Sequence, residues 1–579
     1  MKILRAYIKE NIGILSLGAI FLTLNTFATL AIPFQISNII NLGIMKKDIN
    51  MVYSTSIKMI IILIVGTATG IIANHFVALF ATNFTKKNRK LLVRNLESLT
   101  VDQVNDFGVA SLVTRMGNDN NNAQRLIVAF FQMILPSPIM AIISIFMTIK
   151  LSPTLALIPL FTILIFALAI VLTLFKSLPY ILKVQKKLDR MTLVLRERFI
   201  GAKIIRAFDN SKKERDKFND IAQEYTDNYI IINKKFALLS PMAFALMSVV
   251  ITLIIFFGAM KVLNNTLEIG SITAIVEYSL TTIAALIMSS MVLVQMPKAV
   301  VSIERIEEIL NITSEIKDKE GLKDNSYYED ILKQNPISLT FDNVCFRYKG
   351  AEKQILKNIS FSIKAGERFA IVGATGSGKS TIAKVLLRLN DIECGKILIN
   401  GVNALDLPLN CLRNQISYTP QKAYLFSGKI KDNFRFTNKD MTDEEMIKVA
   451  KVAQSYDFID SLPDKFDSFV AQGGINFSGG QKQRLSIARA LSKEANIYLF
   501  DDSFSALDYA TDAKLRKELK TFLKDKITII IAQRLNTIAD ADKIIVLKDS
   551  EITGMGTHQE LLESNQEYIE LAKSQGILE

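Results

Sequence analysis

The stretch Gly373-Ala374-Thr375-Gly376-Ser377-Gly378-Lys379-Ser380-Thr381 has the residue types and spacing that hold phosphate. It follows a short apolar run ending in Ile371-Val372 and precedes an apolar helical pattern, which makes a complete P-loop between a strand and a helix. Glycines in such a loop let successive backbone N–H groups curl around phosphate oxygens. The sequence places Lys379 to reach the β- and γ-phosphates and the Ser380 hydroxyl to ligate Mg2+. The helix N-terminus adds partial positive charge. Further along, Ile497-Tyr498-Leu499-Phe500-Asp501-Asp502 reads as an apolar strand ending in acid, a Walker B pattern. There Asp501 is expected to hold the metal through water, and the next acid, Asp502, to polarise the attacking water. Between the two motifs lies Phe477-Ser478-Gly479-Gly480-Gln481, followed by a helical stretch from Lys482 to Leu491. Ser-Gly-Gly at a helix start is a second anion-binding end. Alone it is a plain N-cap; with the other two motifs it points to nucleotide.

These motifs need a scaffold, and the rest of the chain predicts its parts. The 579 residues exceed one ordinary core. Half are hydrophobic, the mean hydropathy is +0.27 and 22% are charged, which excludes a disordered or collagenous chain and favours a membrane protein. Two histidines exclude a His-rich metal site. Cys345, Cys394 and Cys411 show no metal-ligand spacing and read as ordinary thiols in a reducing compartment.

Apolar stretches near 11–33, 55–82, 127–149, 152–175, 238–262 and 272–296 are each long enough to cross a hydrocarbon core. The first is too long for a signal-peptide core. The net charge of +13 is placed beside these spans: Lys2, Arg5 and Lys9; Lys86, Lys87, Arg89, Lys90 and Arg94; then Lys183, Lys186, Lys187, Arg190, Arg196 and Arg198. That pattern explains the basic excess without nucleic acid, and puts both termini and two long loops in the cytoplasm. The loops at 85–125 and 176–237 keep helical periodicity, with Leu188, Met191, Leu195 and Phe199 at threes and fours, so the spans are expected to continue as long helices. Breaks at 103–118 and 207–212 read as turns that dock on another domain.

Within the spans, Glu277 is the sharpest polar residue, a candidate to meet a cationic substrate or carry a proton in a substrate cavity. It could equally sit in a wet outer cavity or pair with a neighbour. His75, beside Asn74, reads as a hydrogen-bonded interhelical residue. Residues 1–301 thus form a transmembrane domain, 302–336 a charged linker, and 337–579 an α/β nucleotide-binding domain.

With these motifs in this order, the chain closely resembles the ATP-binding cassette family, over nearly its whole length. The layout resembles an exporter half-transporter: an all-α domain of six spans with long cytoplasmic extensions, fused to one P-loop domain with a helical subdomain. The resemblance implies that Ser478, Gly479, Gly480 and Gln481 form the signature motif and that Tyr348 stacks on adenine. It implies that Gln421, in Thr419-Pro420-Gln421, touches Mg2+ as the Q-loop, and that Ser505-Ala506-Leu507-Asp508 form the D-loop. Gly201, within 197–208, resembles part of the second intracellular loop, and the two interrupted loops resemble coupling helices. It further implies ATP and Mg2+ as ligands, a second half-transporter as partner, the plasma membrane as location and a small amphiphilic substrate. Each ATP lies between the P-loop of one cassette and the signature of the other.

Two positions depart from the family. The residue after the Walker B acid is usually Glu and here is Asp502; the switch-histidine position, in Ile530-Ile531-Ala532-Gln533-Arg534, is Gln533. Aspartate is one methylene short, and Gln533 can donate a hydrogen bond but cannot become cationic. His558 matches a different family position. ATP is therefore expected to bind well and turn over slowly at this chain's own site, as in the degenerate subunit of a bacterial heterodimeric exporter, often of multidrug type. Other readings stay open: a homodimeric exporter in which Asp502 suffices, an ATP-gated membrane protein that does not pump, and an importer built on the same fold.

Overall fold

The computed structural model describes residues 1–332 and 337–578; 333–336, the end of the expected linker, and Glu579 lie outside them. The chain forms two compact units, one of residues 1–98 and 104–313, the other of 99–103 and 314–579.

Among the described residues, six helical segments of the first unit are long and apolar enough to cross a bilayer: Ile12–Ile44, Ile49–Ser98, Val109–Leu151, Leu157–Ile200, Ser211–Leu263 and Ile269–Leu293. Each contains most or all of one expected apolar run. The helix Ile49–Ser98 has 50 residues, about 75 Å at 1.5 Å per residue, and so extends far beyond any hydrocarbon core. Three short stretches, Ile39–Ile44, Arg115–Asp119 and Phe130–Ile134, are π-helical. The long helix Leu157–Ile200 is followed by a short one, Ala202–Ala207, and then by Ser211–Ala237. At that turn Phe199, Ile200, Ile204 and Phe208 are all exposed.

Polar groups between spans must be satisfied by neighbouring helices, because lipid offers no partner. Asn25 Nδ2 donates to the Gly66 carbonyl at 2.7 Å, and Thr282 Oγ1 donates to Ser144 Oγ at 2.8 Å. The expected role of His75 falls to its neighbour. Gln132 Nε2 donates to Asn74 Oδ1 at 3.0 Å, while the His75 side chain is exposed, edge-on to Phe76, with no hydrogen bond among the described residues. One helical step of about 100° separates the two, which the sequence pattern does not resolve.

The segment expected as linker is more ordered than its composition suggests. Residues 302–311 continue the helix Ile269–Asn311, and Asn325–Leu332 is a further helix. Tyr328 and Leu332, four residues apart on one face, are buried in the core of the second unit.

That unit is built on strands β1 (Ser338–Phe346), β2 (Leu356–Lys364), β3 (Arg368–Gly373), β4 (Cys394–Ile399), β5 (Val402–Asn403), β6 (Ile416–Thr419), β7 (Gly428–Lys429), β8 (Phe469–Val470), β9 (Ile497–Asp501), β10 (Ile527–Ile531), β11 (Lys543–Lys548) and β12 (Glu551–Gly556). The main sheet has the order β12-β11-β3-β10-β9-β6, parallel except for β12. A second sheet, β2-β1-β4-β5, is antiparallel. Central strands of a parallel sheet are buried on both faces. In β3, Phe369 and Ile371 enter one core and Ala370 and Val372 the other. Between β6 and β9 the chain is largely helical, including Asp443–Val452 and Gly479–Leu491.

Reading all three cysteines as ordinary thiols needs correction. Cys345 of β1 lies opposite Cys394 of β4, their Cα atoms 5.0 Å apart, and the two are disulfide-bonded. Cys411 is free and buried, its thiol pushed up by burial.

The first and sixth spans meet at Gly270, whose N–H donates to Asn41 Oδ1 at 2.6 Å. A Cβ there would lie 2.5 Å from the Ser37 carbonyl oxygen, so no side chain fits without parting the helices. Gly270→Val is expected to destabilise the membrane unit by about 1–3 kcal/mol, read as a lower thermal midpoint of the purified protein in lipid.

Candidate nucleotide site

Register alone gathers the site. Strands β3, β10, β9 and β6 run parallel, with Ile531 opposite both Ile371 and Asp501, and Thr419 opposite Phe500. Their C-terminal ends therefore emerge at one edge, where open α/β sheets bind ligands. That edge carries the loop from Gly373, Gln533 just past β10, Asp501 and Asp502 at the end of β9, and Gln421 just past β6.

The loop turns into the helix Lys379–Leu386 at Gly378, which holds φ +101; a Cβ there would lie 2.6 Å from the Ile355 carbonyl oxygen. Ala374, Thr375 and Gly376 are exposed at the apex, whereas Ser377, Gly378 and Lys379 are buried. Lys379 Nζ donates to the carbonyls of Gly373 and Ala374, both at 2.8 Å. Burial lowers the pKa of this ammonium, and the charges of Asp502 and Asp501 oppose that shift. Ser380 Oγ donates to Asp501 Oδ1 at 2.8 Å, and Tyr418 OH donates to Asp501 Oδ2 at 3.3 Å. Burial raises the Asp501 carboxyl, while those two hydrogen bonds pull it down. Gln421 Nε2 donates to Asp502 Oδ2 at 3.3 Å, and Asp502 itself takes a left-handed φ of +47. That backbone state is uncommon outside glycine, and Asp tolerates it better than most residues.

These groups fit a phosphate-bound Mg2+. Ser380 and Asp501 are hard oxygen donors side by side, and the buried Ser377 hydroxyl has no hydrogen-bond partner among the described residues. Tyr418 is a site residue that the sequence reading missed, since a tyrosine in a strand reads as core. Burial raises its phenol, and the Asp501 charge raises it further, so it stays a donor.

Tyr348 lies against the P-loop helix. Its hydroxyl is 3.3 Å from Thr381 Oγ1 and accepts from Lys384 Nζ at 3.1 Å. The signature residues form a capping box on Gly479–Leu491: Gln481 N–H donates to Ser478 Oγ at 3.3 Å, and Ser478 N–H donates to Gln481 Oε1 at 2.9 Å. Gly479 is open to space, and a Cβ on Gly480 would lie 3.3 Å from the carbonyl oxygen of Ala506. In the segment Ser505–Asp508, Ser505 Oγ donates to the Asp502 carbonyl at 2.9 Å, Leu507 is buried, and Asp508 caps the next helix by accepting from Thr511 N–H at 3.0 Å. Among the described residues no hydrogen bond joins the signature to the P-loop.

Gln533 is exposed, and its carbonyl accepts from Gln575 Nε2 at 2.8 Å. His558 is occupied elsewhere: its Nδ1 lies 2.6 Å from the hydroxyl of buried Tyr568, whose pKa burial pushes up to about 12. Glu277 is exposed on the sixth span, with no ion pair among the described residues.

A P-loop, a buried carboxylate hydrogen-bonded to it and a capped Ser-Gly-Gly helix start, on a chain with six candidate spans, fit an ATP-hydrolysing motor joined to a membrane domain. Residues 356–505 match the family model for the ABC transporter, and 15–286 match that for the ABC transporter transmembrane region. YfiB of Bacillus subtilis, an uncharacterized ABC transporter ATP-binding protein, is 32% identical over 543 residues, covering 94% of this chain and 93% of its own. An ATP-dependent lipid A-core flippase of Mannheimia succiniciproducens is 26% identical over 572 residues, covering 98% and 95%. The structure of a bacterial Atm1-family ABC exporter with ATP bound superposes with a TM-score of 0.79 at 24% identity, over 96% of this chain and 97% of that one, and shows the same fold. The chain belongs to the ABC transporter family, a multi-pass membrane ATPase of exporter architecture.

A carboxyl held up by burial takes its proton at a higher pH than a free aspartate. The Mg2+-dependent part of ATP binding is therefore expected to weaken as pH falls, starting above the ordinary carboxylate range. Asp501→Asn keeps the shape and an acceptor for one of Ser380 and Tyr418, turns an NH2 donor to the other, and removes the charge. It should lower the Mg2+-dependent affinity on the order of 10- to 100-fold and flatten its pH dependence, measured with a non-hydrolysable ATP analogue.

Proposed function

We propose that this chain is one half of a heterodimeric ATP-driven exporter, binding ATP at a hydrolysis-impaired site of its own and lending an intact signature to its partner's site. The carrying observation is the combination of Asp502 and Gln533 with a fully formed loop, metal pair and signature cap. A carboxylate one methylene shorter sits roughly 1 Å or more farther from the water it must polarise, and such a misplacement costs on the order of a hundredfold in rate. Gln533 offers a neutral donor in place of a cation at the γ-phosphate. In this reading Lys379 holds the β- and γ-phosphates, while Ser380, Gln421 and, through water, Asp501 hold Mg2+. Bound Mg2+ neutralises charge on the phosphates being cleaved.

A second chain is supported by the open Gly479 and by the exposed apolar turn carrying Phe199, Ile200, Ile204 and Phe208. ATP that binds the closed pair better than the open one shifts the population toward closure, and hydrolysis releases it. The charge pattern beside the spans supports cytoplasmic termini and cassette in the plasma membrane. Glu277, exposed at membrane depth, remains the candidate contact for a small amphiphilic substrate. One observation favours a homodimer instead: Asp502 Oδ2 already holds the Gln421 amide at 3.3 Å, so the shorter side chain does reach the Q-loop.

Steady-state ATPase in lipid separates the two readings. The chain alone is expected to be nearly inactive, and Asp502→Glu with Gln533→His should raise its turnover about a hundredfold. Comparable turnover of the unmodified chain alone and with its partner would establish the homodimer.

A further inference from the structure

We propose that the membrane unit contains a binding site for the anionic headgroup of an amphiphile, at the level where the third and sixth spans leave the apolar zone. A cavity of about 240 Å³ lies there, lined by Asn122, Arg125, Leu126 and Met133 from the third span and by Val292 and Lys298 from the sixth. Spacings of three and four place the lining residues Asn122, Arg125, Leu126 and Ala129 along one side of the helix Asn120–Ala129, and Met133 follows within the π-helical stretch Phe130–Ile134.

The cavity has a charged end and an apolar end. Arg125 immediately precedes the apolar run that begins near 127, and Lys298 follows the run that ends near 296. Met133 and Val292 lie on the hydrocarbon side of that level. Two cations therefore meet at headgroup depth, with greasy walls beyond them.

Three other basic groups of the same unit have acidic partners. Arg115 Nη1 pairs with Glu308 at 2.6 Å, Lys87 pairs with Glu10, and Arg305 lies 3.9 Å from Asp189. Arg125 and Lys298 have no ion pair and no side-chain hydrogen bond among the described residues. Asn122 is held in place on the same wall: its Nδ2 donates to Ser302 Oγ at 3.1 Å, and Ser302 in turn donates to Asp119 Oδ1 at 2.7 Å. Glu277 lies roughly 30 Å away along the sixth helix and does not compete for these cations.

Two uncompensated positive charges beside a low-dielectric zone favour an anion there. The apolar far wall selects one that carries a hydrocarbon body. The volume suits a phosphate or carboxylate headgroup and its first carbons, the rest of the molecule extending between the helices. The inference depends on the exporter reading only for the assignment of this level to the inner leaflet.

The test is competition binding of fluorescent phosphatidylglycerol and phosphatidylcholine to the full-length protein in detergent. Two basic side chains near a membrane surface predict a preference of roughly thirtyfold for the anionic lipid. Arg125→Gln with Lys298→Gln should bring the ratio close to one, with each single change losing about fivefold. Lys90→Gln with Arg94→Gln, the same charge removed outside the cavity, should leave it unchanged. An unchanged thermal midpoint of the purified variants shows that they are folded. Should the charge variants fail to fold, Ala129→Leu fills the cavity while keeping both cations and should weaken the anionic lipid as strongly. An unchanged ratio in the cavity variants, equal loss in the control pair, or displacement of the lipid by millimolar inorganic phosphate would each overturn the proposal. Lipid binding needs no ATP turnover, so a selective site on a chain that supports no ATP turnover even together with its partner would leave this inference standing and the pump reading refuted.

Discussion

The hydrogen bond from Ser380 to Asp501 joins two motifs that are distant in sequence and separated in the sheet by β10. It exists because β3, β10 and β9 run parallel in a register that brings their C-terminal ends to one edge. A slip by one residue in either pairing would turn alternate side chains to the opposite face and part serine from carboxylate. The cores on the two faces of the sheet prevent that slip, since Phe369 and Ile371 belong to one and Ala370 and Val372 to the other. The chemistry of the site is thus set by apolar packing several residues before the first phosphate-binding group.

The same edge concentrates opposed electrostatic demands. Lys379 and Asp501 are both desolvated, which disfavours each charge, while each favours the other's. Tyr418 and Ser380 keep the carboxylate hydrogen-bonded, and the loop carbonyls do the same for the ammonium. Asp502 sits just past this ring in a left-handed turn, tethered to Gln421 rather than to Ser380.

How much of this was legible in the sequence depended on how local the signal was. The P-loop, the Walker B strand and the Ser-Gly-Gly cap are each written within a few consecutive residues, and each takes the local structure expected of it: a strand-to-helix loop, a strand ending in acid and a helix start. The six spans were legible because a bilayer demands a long apolar run that little else requires. Contacts between elements were not legible. The partnership of Cys345 with Cys394 needs the antiparallel pairing of β1 and β4, and neither strand carries a mark of it. Tyr418 meets Asp501 only because β6 lies beside β9. The helix Asn325–Leu332 was hidden because two buried residues sufficed to dock it amid many charges.

The π-helical stretches Arg115–Asp119 and Phe130–Ile134 bracket the segment Asn120–Ala129, and their effect is one of phase. Each stretch accommodates an extra residue within a continuing helix, and one residue corresponds to about 100° of rotation. An apolar stripe counted from 109 to 151 thus loses its alignment twice, and the side that packs at one end is not the side that packs at the other. Loss of a single residue from either stretch would restore regular α-helix and swing a different set of side chains toward the sixth span. The length of the span would barely change. Single-residue insertions and deletions there are a route by which a transporter of this architecture can exchange what its membrane cavity presents while the cassette stays untouched.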